Sequence, residues 1–288
     1  MVKSLSIETI RKGGADAIKD QLMSFPKGSV VIVNAADTPD IDAVILGILQ
    51  ADTAGKKFLF RTGAAFVSSR LGIPQIDPIS AQQLSMSSET GGLIIAGSYV
   101  PKTTSQLEVL RERGGDKLTA IVLDVRKLLE SEQNANKEVQ DAIETAEKEI
   151  SRGQDVLIMT SRELVTGDDE ATSLDIGTKV AKALVSFLVD LKTKPRYIIA
   201  KVSLLAQRVN SLTVTEDMQG GITSSDMATK GLKMKRALIV GQAAPGVPLW
   251  RCDEPSAKWP GLPYVVFPGN VGSESTLFEV VERWRVSA

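Results

Sequence analysis

The sequence contains no histidine and a single cysteine, Cys252. The first absence removes imidazole from every role it plays elsewhere: no Ser-His-Asp or Cys-His nucleophile, no imidazole base, no His-ligated zinc or haem. The second excludes an internal disulfide and a thiolate cage, and suits a reducing compartment. An excess of either charge is also missing, with 34 Lys+Arg against 35 Asp+Glu, so no global field draws the chain to nucleic acid or an anionic membrane. Long apolar runs are lacking too. Ala183 to Leu191 and Leu93 to Ala96 are far too short to span a bilayer, and the first eight residues, Met1 to Glu8, have no apolar core of a secretory signal. The expectation is a cytoplasmic protein with neither nucleic acid nor membrane as partner. Its chemistry must run on carboxylates, lysine, hydroxyls, backbone amides or a bound cofactor.

What is present is an apolar fraction of 43% over 288 residues, enough for one large domain or two smaller ones. Apolar spacing predicts a helix over Ser6 to Met23, a buried strand at Val30 to Val33, a helix over Ile41 to Ala51, a strand at Lys57 to Arg61 and a helix over Ala64 to Leu71. From Gly72 to Ser88 periodicity disappears among Pro74, Pro78 and many Gln and Ser, which reads as an interdomain linker. Strands then alternate with helices: Gly92 to Ser98, Thr119 to Val125, Asp155 to Thr160, Arg196 to Ala200, Ala237 to Val240 and Tyr264 to Phe267, with helices at Thr103 to Arg113, Glu138 to Ser151, Gly177 to Leu191, Ser225 to Gly231 and Glu274 to Trp284. Leu129 to Lys137 reads as an exposed loop or a helix lead-in. The fold class expected is α/β, a mostly parallel sheet flanked by helices.

In such sheets ligands bind at the carboxyl ends of strands, where loops and helix N-termini present unpaired amides. Three turns combine glycine with a hydroxyl or amide there: Gly97-Ser98 leading to Pro101-Lys102-Thr103-Thr104; Gly220-Gly221-Ile222-Thr223-Ser224; and Pro268-Gly269-Asn270-Val271-Gly272-Ser273. Each reads as a phosphate cradle or as an ordinary capped turn. No G-x-x-x-x-G-K-[ST] and no G-x-G-x-x-G occurs, so P-loop and dinucleotide-binding readings lose their main support. Pro245-Gly246-Val247-Pro248 with Trp250 is a stiff turn that walls an adenine pocket or is a rigid connector. Arg61 contacts an acidic substrate or makes a surface ion pair. Asp168-Asp169-Glu170 is a solvated loop or a Mg²⁺ contact. Cys252 reads as a structural thiol.

The ordered strings Lys194 to Lys201, Gly220 to Asp226, Gly241 to Pro248 and Tyr264 to Gly272 resemble the nucleotide-binding domain of the four-carbon acid sugar kinases. Gly92 to Leu110 looks like the opening of that domain. Residues 29 to 73, with Val33-Asn34-Ala35 and Phe60 to Phe66, resemble the end of the family's substrate-binding domain. The resemblance implies ATP-dependent phosphorylation of threonate- or erythronate-type acids, with ATP and Mg²⁺ as cofactors and a small sugar acid as partner; an oligomer is compatible with it. It implies ATP contacts at Ser98, Gly220, Gly221, Ile222, Thr223, Ser224, Gly246, Gly269, Asn270 and Gly272, and leaves the catalytic residue open.

The sequence departs from the family pattern in ways that shape the expectation. The family's opening Ala-Asp-Asp-x-Thr-Gly motif and its Ser-Thr-Leu-Arg-Gly-like segment do not occur, and Tyr99 stands where many relatives have histidine. The resemblance therefore implies residues 1–84 as a truncated substrate-binding domain, residues 85–288 as the nucleotide-binding domain, and a fragment lacking the main substrate site. Val202 to Gln219 interrupts the pattern; without it Ala200-Lys201 would join Gly220-Gly221. Valine codons begin GT, a glutamine codon can end AG, and Leu212-Thr213 can encode CTNAC, so this stretch reads as a translated intron or as a genuine surface loop. A non-catalytic nucleotide-binding or interaction module is the alternative function, and an NAD-dependent dehydrogenase a third.

Overall fold

The computed structural model describes residues 1–74, 76–86, 89–97, 101–162, 165, 169–201 and 224–286. It divides into two compact units, Met1–Ile76 and Asp77–Ala288. Residues 77–84, which the sequence reading placed with the first unit, belong to the second by packing: Ile79, Ala81, Leu84 and Met86 lie against its core.

In the first unit β1 (Val2–Leu5) pairs in parallel with β2 (Val30–Val33), and α1 (Gly14–Ser24) and α2 (Thr38–Thr53) cover one face, followed by the short α3 (Ala64–Arg70). Leu5, Ile10, Ile18, Leu22, Val44, Ile48 and Ala51 form the core. Asp37 caps α2 and Pro39 follows at its start. Asp40 takes a bidentate pair of hydrogen bonds from Arg11, 2.8 and 3.0 Å, and one from the Ala36 amide. The expected burial of Val30 to Val33 is not found: Val30 and Ile32, on the uncovered face of a two-stranded sheet, are exposed, as is Val33 at the strand end, while Val31 packs against the core. The strand expected at Lys57 to Arg61 is not formed; those residues join no ladder.

In the second unit the sequence order is β3 (Leu93–Ala96), α4 (Pro101–Gly114), β4 (Leu118–Leu123), α5 (Val125–Glu130), α6 (Glu132–Ser151), β5 (Asp155–Thr160), α7 (Glu170–Asp190), β6 (Ile198–Lys201), α8 (Ser224–Asp226) running into a π turn at Met227–Gly231, β7 (Ala237–Ala244), β8 (Val247–Cys252), β9 (Pro263–Val266) and α9 (Thr276–Arg283). One seven-stranded sheet has the order β4-β5-β3-β6-β9-β8-β7. Its first five members run parallel, β8 is antiparallel to β9, and β7 is antiparallel to β8. The central strands are near-continuous apolar runs, as burial on both faces requires. Leu93, Ile95, Val156, Ile158 and Ile198 face α5, α6 and α7, while Ile94, Leu157, Met159 and Ile199 face α4 and α9.

Two sequence expectations change here. Of the two readings of Leu129 to Lys137 the loop is not found and the helix lead-in is nearer: Ser131 ends α5 and caps α6 by accepting a hydrogen bond from the Asn134 amide. Pro245 to Pro248 is the turn of a hairpin whose second strand, β8, begins at Val247. The hairpin places β7 at an edge, where its pairing is broken by register shifts at Ile239/Gly241 and Gln242/Ala244.

At the amino-terminal edge of the sheet Asp155, buried at the start of β5, accepts hydrogen bonds from the Gly92 amide (2.8 Å), the Tyr197 hydroxyl (3.3 Å) and Arg285 Nε (3.1 Å). Arg285 also reaches Glu282, and Arg196 donates to the carbonyls of Thr90 and Trp284. The Tyr197 ring meets Trp284 edge-on, and its hydroxyl is pushed well above its ordinary pKa by burial and by Asp155. Among the described residues no helix is long and apolar enough to cross a membrane.

Candidate functional site

Helix α4 packs on one face of the sheet while α6 and α7 cover the other, and in sheets of this kind ligands bind at the carboxyl edge of the central strands. Onto this edge the fold brings the ends of β3, β5, β6 and β9, the loop 267–273, the start of α4 and the β7–β8 turn.

The loop 269–273 is held by side chains of α4. Thr103 Oγ1 donates to the Gly269 carbonyl (3.2 Å), Gln106 Nε2 to those of Val271 (3.0 Å) and Ser273 (2.6 Å), and Lys102 Nζ to that of Gly272 (3.0 Å). A trans peptide points its N–H opposite to its C=O. Carbonyls turned to α4 therefore turn the amides of Asn270 and Gly272 away from it, and among the described residues neither amide has a hydrogen-bond acceptor. The Ser273 amide is used locally, on Thr276 Oγ1. Gly272 has φ +84°, and a Cβ there would lie 2.7 Å from Thr276 Oγ1, so only glycine lets the loop close on α9. Gly246, φ +75°, turns the β7–β8 hairpin beside the same loop, where a Cβ would meet Val271 at 3.4 Å. Between hairpin, loop and α9 lies a cavity of about 340 Å³ lined by Ala244, Pro245, Gly272, Thr276, Glu279 and Arg283 among others. Trp250 does not wall it; the ring packs beside Tyr264, 6.1 Å away, in the sheet core.

Lys201 ends β6, level with Ala96 of β3. Its side chain is fully buried. Nζ donates to the Pro268 carbonyl at 3.1 Å and stands 4.0 Å from the centre of the Phe267 ring. Among the described residues no carboxylate pairs with it. Burial, and the charge of Lys102, pull its pKa down to about 7. Thr160, at the end of β5, is buried with its hydroxyl unpartnered among the described residues, as is Gln106 Oε1.

Of the residues singled out from sequence, Gly246, Gly269, Asn270 and Gly272 are brought together. Ser98, Gly220, Gly221, Ile222 and Thr223 lie outside the described residues. Ser224 is buried at the start of α8, its carbonyl accepting from the Tyr264 hydroxyl at 2.5 Å. Arg61 is exposed in the first unit. Asp169 is not a loop carboxylate: it caps α7, accepting the Thr172 amide at 2.8 Å, and that hydroxyl and amide hold its pKa below the ordinary value. Cys252 is buried, as expected of a structural thiol. Lys201 and Gln106 are not among the site residues singled out from sequence, and Lys102 and Thr103 enter there only as part of the Pro101 to Thr104 helix start. The signal for the first was a lysine closing an otherwise apolar buried strand, Ile198-Ile199-Ala200.

The model of a nucleotide-binding C-terminal domain matches residues 93–277, and that of a sugar-binding N-terminal domain matches residues 1–70. No curated protein sequence matches the chain. Two crystal forms of a domain of unknown function (DUF1537) from Bordetella bronchiseptica, described as a domain-swapped dimer with bound citrate, are similar in structure. Their TM-scores are 0.47 and 0.43 at 13% identity; each alignment covers 99% of this chain, and 59% and 57% of the respective solved chains. The chain thus spans a little under three fifths of the solved chains it matches.

Proposed function

The chain belongs to the four-carbon acid sugar kinase family, and from that premise we propose that it is an ATP-dependent kinase for four-carbon sugar acids of the threonate or erythronate type. The observation that carries this reading is the loop 269–273, whose carbonyls are bound by α4 and whose Asn270 and Gly272 amides are thereby turned out without acceptors. Such amides at a strand end suit phosphate oxygens. In this proposal Gly269, Asn270 and Gly272 hold the phosphates, with Ser98 and the stretch Gly220 to Ser224 as further contacts. The cavity beside Gly246 takes the adenosine. Arg61 is the proposed contact for the acid's carboxylate.

Phosphoryl transfer needs little covalent work from the protein. What this chain supplies is position and fixed dipoles: amides pre-aimed by α4 cost no reorganisation when charge shifts along the transferring group. Mg²⁺ enters as the companion of the nucleotide. Among the described residues no group of three or more carboxylates or thiols could hold a metal. An ion carried mainly by phosphate and water is compatible with that, and no step here depends on it. Residues 202–219 we propose to be of intronic origin, and transcripts that are spliced and still encode them would refute that.

Titration with ATP, followed by release of ADP in the presence of threonate, erythronate and acids one carbon shorter or longer, tests the function. ATP binding is expected, and any transfer is expected to be confined to four-carbon acids. Nucleotide binding with no transfer to any acid would leave a non-catalytic nucleotide-binding module instead.

A further inference from the structure

We propose that Lys201 is a phosphate-binding residue, the buried cation that the terminal phosphates of a bound nucleotide meet at the carboxyl edge of the central strand. The inference rests on the nucleotide reading above and names a contact within it.

The first argument is position. β6 lies between β3 and β9, so the end of Lys201 stands beside the end of β3 on one side and the start of the 267–273 loop on the other. Its Nζ touches the Pro268 carbonyl, one residue before Gly269. The ammonium thus sits at the root of the loop that turns out the Asn270 and Gly272 amides.

The second argument is unspent capacity. An ammonium has three N–H donors, and among the described residues one acceptor is present, the Pro268 carbonyl. The Phe267 ring face offers a partial counter-charge and no more. A buried cation without a carboxylate costs stability, whereas a methionine would fill the same space at no such cost. Among the described residues nothing in the packing of β6 requires a lysine there.

The third argument is the sign of the surroundings. Among the described residues the charged group acting on Lys201 is Lys102 of α4, a second cation. β3 contributes only apolar side chains. On β9 the titratable group is Tyr264, whose hydroxyl is spent on the Ser224 carbonyl and whose ionisation burial drives far upward. Among the described residues no acid acts on Lys201, so the ligand complementary to it is an anion and not a metal ion or an amine. An arriving phosphate favours the charged form of the lysine, and its binding is therefore coupled to proton uptake.

Calorimetry at pH 8, in two buffers of different ionisation enthalpy, reads this for ATP, whose terminal phosphate is almost fully ionised there. Wild type and Lys201→Met are each titrated with ATP, tripolyphosphate and adenosine. The expected result is that wild type binds ATP and tripolyphosphate and takes up a fraction of a proton with ATP. Lys201→Met loses that uptake and binds both about 10- to 100-fold more weakly, while adenosine binding is unchanged. A thermal melt of the variant at or above the wild-type midpoint shows that the loss is not unfolding. Wild-type ATP affinity and proton uptake in Lys201→Met would overturn the inference and leave the nucleotide reading intact. Absence of ATP and tripolyphosphate binding by the wild-type chain would overturn both.

Discussion

At the amino-terminal edge of the large sheet the buried charge Asp155 has three donors around it, one of them the guanidinium of Arg285. At the carboxyl edge of the same sheet the buried charge Lys201 has one backbone carbonyl. The two edges share strands and apolar walls, and they differ in whether the buried charge has an opposite charge beside it. Matched groups hold the strands to the segments that precede β3 and follow α9. Unmatched groups, the Lys201 ammonium, the Thr160 hydroxyl and the loop amides, are what a ligand could complete. A buried charge is thus legible as structural or functional by counting its partners.

Four substitutions would break or sharpen this contrast. Asp155→Ala should destabilise the second unit by about 3–5 kcal/mol, because the buried Gly92 amide and Tyr197 hydroxyl lose their acceptor and Arg285 is left with Glu282 alone; denaturant unfolding measures it, and a wild-type midpoint would dissolve the contrast. Gln106→Leu removes the donor that holds the Val271 and Ser273 carbonyls. It should cost about 1–3 kcal/mol and weaken ATP binding several-fold, as calorimetry would show.

Lys201→Met should be as stable as wild type or more so. The folded lysine's pKa of about 7 lies below its ordinary value, so the wild-type penalty is complete below pH 7 and fades as pH rises towards about 10.4. Melting curves across that range should converge at the alkaline end. The smallest effect belongs to the first unit, where hydrogen bonds from Arg11 and then from the Ala36 amide bring Asp40 down to about 2. The folded pKa is depressed, so the stability it contributes is present above the ordinary carboxylate value and is lost as pH falls through about 2. Asp40→Asn should flatten the acid limb of a pH-dependent unfolding curve for that unit.

The central strands were legible because burial on both faces leaves apolar runs with no ambiguity of register, and Asp155 to Thr160 has the same bounds in sequence and structure. Errors fell where tertiary context decided. β8 was hidden behind Pro245 and Pro248, β1 was too short to show a period, and Lys57 to Arg61 has strand-like residues with no ladder to join. In the site, glycines announced Gly246, Gly269 and Gly272. The residues that orient them did not announce themselves, since Thr103 and Gln106 look like ordinary polar positions of a helix until α4 is laid against a loop more than 160 positions away.

The broken pairing of β7 has its own bearing on how the chain behaves at high concentration. A straight outer strand carrying Leu238 and Ile239 in the open would offer its free peptide groups to any passing chain, the first step of aggregation. Register shifts on either side of Gly241 and Gln242 bend and twist that border, so it presents no flat template for another strand to continue.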